Sequence, residues 1–79
     1  MTKKQIALAD FAALPLDKQL QLLRKDGVYV GKLKKDGQSI ILLQLYSFYV
    51  ELYYKEYRKT LVEMKIHESI DVLQPYLHQ

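Results

Sequence analysis

The chain has no cysteine, no tryptophan, three glycines, two prolines and two histidines in 79 residues. Without cysteine there is no disulfide and no thiolate metal site. His67 and His78 alone cannot complete the four-ligand set of a structural zinc. The staples that small folds lean on are therefore excluded, and no metal or cofactor is expected. A domain of this size buries only about 60–65% of its unfolded surface, so its stability must come from tight packing or from a partner subunit. The missing cysteine is compatible with a reducing compartment, and a cytoplasmic protein is the expectation.

A long hydrophobic run is also lacking. The longest uncharged apolar stretch, residues 39–50, falls short of the roughly 20 residues a membrane-spanning helix needs, so no membrane span is expected. Lys3 and Lys4 precede Ile6, Ala7, Leu8 and Ala9 in the manner of a signal peptide. Asp10 interrupts that run and no small-x-small cleavage pattern closes it, so secretion is not expected. There is no linker, repeat or low-complexity tract, and residues 1–79 read as a single domain.

The charge that is present is unevenly placed. Residues 1–35 hold eight Lys and Arg against three Asp, a net of +5; residues 36–79 hold four against six Asp and Glu, a net of −2. Arg24, Lys25, Lys32, Lys34 and Lys35 form a basic patch against the single acid Asp26. Such asymmetry either marks an anionic partner or is a solvated edge.

Thr2 and Gln5 make a capping box for a helix from about Lys3, with Ile6, Ala9, Phe11 and Ala13 on its apolar side. Pro15 suits the first turn of a second helix. In that helix Leu16, Leu20 and Leu23 recur at helical spacing, with Asp17, Lys18, Gln21 and Arg24 outside. Gly27 is expected to stop it in the left-handed conformation.

From Val28 the composition turns β-branched and aromatic. Asp36-Gly37 is a type I′ hairpin signal, because that turn needs positive φ at both central positions. It sets Lys35 opposite Gln38, Leu33 opposite Ile40 and Gly31 opposite Leu42. A turn at Tyr46-Ser47 sets Leu45 opposite Phe48. A loop at Tyr57, Arg58 and Lys59 sets Glu56 opposite Thr60. These registers put Val28, Val30, Ile41, Leu43, Leu45, Phe48, Val50, Leu52, Tyr54, Val62, Met64 and Ile66 on one face, the expected core, with only Lys32 intruding. The other face takes Tyr29, Leu33, Ile40, Leu42, Gln44, Tyr49, Glu51, Tyr53, Leu61, Glu63, Lys65 and His67, with Glu51 and Lys65 as a cross-strand ion pair. Gly31 leaves room for a neighbour beside Leu42. A single long helix is the rival reading, since no Gly or Pro occurs between Gln38 and Gln74. It fails because Lys55, Glu56 and Lys59 fall on or beside its apolar stripe. A last helix is expected from Glu68 or Ser69, with Ile70, Leu73 and Leu77 inside, ending or bending before Pro75.

The second sheet face carries the functional expectation. Tyr29, Leu33, Ile40, Leu42, Tyr49 and Tyr53 form an apolar, tyrosine-bearing surface that either a helix covers or another molecule docks on. The principal expectation is a non-enzymatic interaction module, self-associating as a homodimer or larger, or binding a protein partner through this face. The alternative is a single-stranded nucleic-acid-binding protein that stacks bases on the same tyrosines and tracks phosphates with the basic patch. Against it, Glu51 and Glu63 share that face, and no RNA-recognition or zinc-finger signature is present. Tyr49, Glu51, Lys65 and His67 also fall near one another. A Glu–His or Tyr–Lys pair could do acid–base work, but an open sheet face gives no enclosing pocket to tune it. No catalytic residue is therefore assigned.

Phe11-x-x-Leu14, a helix centred on Gln19, Gly27, the run Phe48-Tyr49-Val50-Glu51-Leu52-Tyr53-Tyr54 and a closing helix together resemble a loose group of very short bacterial α+β proteins with no known activity. The resemblance covers most of the chain. It implies an α+β fold, here helical segments, a four-stranded antiparallel meander and a short C-terminal helix, and it implies nothing about chemistry. The sequence departs from the pattern at Tyr46-Ser47, where a glycine-containing turn is usual.

Overall fold

The two N-terminal helices meet at an elbow built by Pro15, whose ring fixes φ near −61° and which sits as the N-cap of the second helix. The computed structural model describes residues 6–55 and 60–77. Their order is α1 (Leu8–Ala12), α2 (Leu16–Asp26), β1 (Val28–Lys35), β2 (Gln38–Leu45), β3 (Phe48–Lys55), β4 (Thr60–His67), a 3-10 helix (Ile70–Leu73) and α3 (Gln74–Leu77). The four strands form one antiparallel sheet in the order β1-β2-β3-β4. The fold is α+β, as the sequence predicts. No helix among the described residues is long and apolar enough to cross a membrane.

Helix α1 begins at Leu8 with Ala7 as an N-cap that offers no side-chain bond. The capping-box residues Thr2 and Gln5 lie outside the described residues. Of the predicted apolar side, Phe11 alone is fully buried; Ala9 and Ala13 face solvent. The Phe11 ring packs on Phe48 at 5.4 Å between centroids and a 48° tilt. Burying such a ring stabilises by about 1.5–3 kcal/mol. The Gln19 amide, itself buried, donates to the Phe11 carbonyl at 2.9 Å, so the elbow keeps its polar backbone satisfied inside the core. Around this pair gather Leu23, Leu45, Val50 and Leu52, with Leu20, Leu43, Tyr54, Met64 and Ile66 at the margin. The helices thus cover the predicted core face. Leu16, expected inside, is exposed.

Gly27 does not take the left-handed conformation. It is extended, at φ −70° and ψ 142°, and donates to the Leu23 carbonyl. Glycine is required by space, because a Cβ there would come within 2.4 Å of the Leu23 oxygen.

The hairpin turns match the predicted register. Asp36 has φ 52° and Gly37 φ 77°, as a type I′ turn demands, and Lys35, Leu33 and Gly31 face Gln38, Ile40 and Leu42. Leu45 faces Phe48 across Tyr46-Ser47. Tyr46 sits at φ 57°, a conformation costing a residue with a Cβ about 1–2 kcal/mol. Its side chain offsets that cost: the hydroxyl donates to Asp26 Oδ2 at 2.6 Å and the ring stands edge-on to Phe48 at 6.4 Å. A tertiary anchor does here what glycine does in other turns.

Two bulges correct the predicted faces. In β1 the pairing shifts between Tyr29 and Gly31, so Tyr29 faces Leu43 and Val28 faces Gln44. In the β3–β4 pair it shifts after Tyr53, so Leu61 faces Tyr54 and Thr60 faces Lys55 rather than Glu56. Glu56 and the loop at 57–59 lie outside the described residues. Each bulge inserts one valine, Val30 or Val62, and turns its strand end away from the regular ladder. Val28, Val30 and Val62, all expected in the core, are consequently exposed, while Leu61 moves to the helix-covered side. Val50 is fully buried, and Leu43 and Met64 are partly so.

Candidate functional site

The C-terminal segment crosses the second sheet face as a strap, its 3-10 part over β3 and α3 over β1. Ser69 caps it by accepting from the Asp71 amide at 3.1 Å. Pro75 stands in the first turn of α3, where its missing N–H costs nothing, and the helix type changes just before it, at Gln74. The inward residues are Val72, Leu73 and Tyr76. Ile70 and Leu77, predicted inside, point out at 64% and 67% exposure.

Tyr76 is the residue the strap turns on. Its ring lies over Gly31, where a Cβ would sit 3.1 Å from its Cδ2. The gap predicted beside Leu42 is therefore filled by this ring. Ile40 and Leu42 pack beneath it, ringed by Leu33, Tyr49 and Tyr53. The hydroxyl donates to Glu51 Oε2 at 2.6 Å. Oε1 of the same carboxylate accepts from His67 Nε2 at 2.7 Å and from the Tyr53 hydroxyl at 3.2 Å. Glu51 is only 8% exposed, and a buried carboxylate persists where donors replace its water.

Register does place Lys65 opposite Glu51, yet the expected ion pair is replaced. The carboxylate turns to the three donors above, and Lys65 Nζ stands 5.1 Å over the Tyr53 ring. Burial, then the hydrogen bond to Glu51 and the charge of Glu51, push the Tyr76 phenol far above its ordinary range. Tyr53 is also raised, first by burial and then by Glu51. Chemically the cluster is a bond between chain segments: three donors from β3, β4 and α3 converge on one carboxylate that Tyr76 closes over. Sequence reading brought Glu51 and His67 together but missed Tyr76. Its signal was the spacing of Val72, Leu73 and Tyr76 opposite a lone strand glycine.

Of the six residues expected as a contact surface, Ile40 and Leu42 are buried beneath the strap and Leu33, Tyr49 and Tyr53 are half-buried around it. Tyr29 is separated from them by the β1 bulge and is 61% exposed. It stands with Val28 and Val30 as three consecutive exposed apolar side chains on an edge strand. Arg24, Lys25, Lys34 and Lys35 are exposed on either side and Lys32 is half-buried. The acid within this stretch, Asp26, accepts the Tyr46 hydroxyl. Comparison with known proteins yields no matching family model, no matching curated protein and no matching solved structure.

Proposed function

We propose that the chain is a non-enzymatic interaction module that docks another protein on the β1 edge. The observation that carries this reading is the exposed triplet Val28, Tyr29 and Val30, bracketed by Arg24 and Lys25 on one side and by Lys32, Lys34 and Lys35 on the other. Single exposed apolar residues are ordinary. Three in succession on an edge strand, Val28 toward the strap face and Tyr29 toward the helix face, make both sides of the edge apolar within a charged rim, the anatomy of an interface. The bulge at Val30 interrupts the straight ladder, so docking there works through side chains rather than by adding a strand. The cationic rim selects a surface carrying acidic groups and speeds encounter with it.

The test is a photo-crosslinking phenylalanine analogue placed at position 28, with position 16 as an exposed apolar control on α2. The expected result is a protein adduct from position 28 and none from position 16. The adduct should disappear when Arg24→Glu and Lys25→Glu are added. Equal labelling from both positions, or none from 28, overturns the reading.

The same edge supports a second reading, a single-stranded nucleic acid stacked on Tyr29 with phosphates on the five cations. Tyr29 at 61% exposure is what favours it. Anisotropy of a short labelled oligonucleotide decides. Affinity must fall steeply and log-linearly with salt and must drop on Tyr29→Ala.

A further inference from the structure

Seven large apolar side chains are exposed among the described residues: Leu16, Val28, Tyr29, Val30, Val62, Ile70 and Leu77. Five of the seven belong to β1 or to the strap. The two segments are neighbours, since α3 rests on β1 with Tyr76 over Gly31. They are also opposite in charge. The β1 edge and the end of α2 carry five cations. The strap and its lead-in carry Glu68 and Asp71, both exposed, and residues 68–77 contain no Lys or Arg.

We propose that the partner docked on the β1 edge is a second copy of this chain. The two copies are related by a two-fold axis that lays the acidic, apolar strap of each on the basic, apolar edge of the other. The inference rests on the reading of β1 as a docking edge and names its occupant. An isologous interface pairs patch i with patch j twice, and two adjacent complementary patches on one molecule satisfy both pairings in a closed dimer. Edge against edge would set cations on cations, and strap against strap would set Glu68 and Asp71 on their own copies. Only the crossed arrangement brings the apolar side chains of both segments together while pairing unlike charges. It also supplies the apolar burial that a chain of 79 residues without staples is short of.

Charge reversal tests this by complementation. One variant carries Glu68→Lys with Asp71→Lys; the other carries Arg24→Glu, Lys25→Glu, Lys34→Glu and Lys35→Glu, all four exposed, which turns the edge net negative. Each variant alone opposes like charges at both contacts; mixed, they restore unlike charges at both. Light scattering at low salt should give a dimer mass for the wild type, a monomer mass for each variant, and a dimer mass for the equimolar mixture. Melting curves of the separate variants check that each is folded. As an independent pair, Tyr29→Glu and Leu77→Glu should each shift wild-type mass toward monomer. A mixture that stays monomeric, or variants that dimerise alone, overturns the inference. A wild type that is monomeric at its highest soluble concentration removes the second copy alone. The docking edge would still stand on an adduct from position 28 to a different protein, so the two failures are distinguishable.

Discussion

The Tyr76 hydroxyl meets Glu51 Oε2 at 2.6 Å, fastening the end of the chain to the second-to-last strand of the sheet. Removing only that hydroxyl, by Tyr76→Phe, leaves a buried carboxylate one donor short. A hydrogen bond to a charged group contributes about 1.5–3 kcal/mol, and the variant should lose stability of that order. Tyr76→Ala also empties the space over Gly31 and should cost about 3–5 kcal/mol. Urea unfolding midpoints measure both. A Tyr76→Phe midpoint equal to wild type would show that the bond contributes nothing.

Alkaline pH should loosen the molecule with a sign fixed by the phenols. Tyr76, Tyr53 and Tyr46 are all raised above the ordinary tyrosine value, Tyr76 the most. Above about pH 10 the unfolded chain releases phenolic protons that the folded chain keeps. The folded state then binds more protons, so unfolding free energy falls as pH rises. Stability should show no phenolic slope below about pH 9 and decline through about pH 11. The decline should be shallower in Tyr76→Phe. An equal slope in both proteins would detach Tyr76 from the effect.

Gly31→Ala tests the seat rather than its occupant. The new methyl would stand 3.1 Å from Tyr76 Cδ2 and 3.3 Å from its Cβ, an overpacking worth about 1–3 kcal/mol. Placed on a Tyr76→Ala background, the same change meets no ring, only the Cβ that alanine keeps at 3.3 Å, and should cost less. A double-mutant cycle reads this coupling directly. Additive effects would place the cost of Gly31→Ala in the sheet itself.

Gly37→Val isolates backbone strain. Nothing lies within 4 Å of a Cβ at this position, but φ is +77°. A β-branched residue there is forced into a region it avoids, at a cost on the order of 1 kcal/mol or more. An unchanged melting temperature would contradict the type I′ assignment.

The sheet was legible because its signals are local. Asp36-Gly37 demands one turn, and from it the period-two set Ile41, Leu43 and Leu45, against Ile40, Leu42 and Gln44 on the other face, carries register into the inner strands. The error appears where pairing is one-sided, in the outer strands, since a bulge at Val30 or Val62 leaves no mark in a run of β-branched residues. The strap was legible as a helix but not in its rotation. Ile70, Leu73 and Leu77 satisfy helical spacing as well as Val72, Leu73 and Tyr76 do. What decides between them is the empty space over Gly31 and the acceptor at Glu51, both of which exist only once the sheet is folded. The exposed edge was hidden for the same reason: Val28 and Val30 look like core, and Tyr29 like part of the second face, until the bulge rearranges all three.

The bulges sit on β1 and β4, the two strands at the rims of the sheet. A sheet with straight rims can be lengthened by copies of itself without end, and a basic rim on one side with a mixed rim on the other would even favour that growth. An irregular step at both rims breaks the repeat at each place where the next strand would have to register. The apolar border of this sheet therefore offers no straight ladder for a further strand to extend, which separates exposure of an edge from open-ended growth along it.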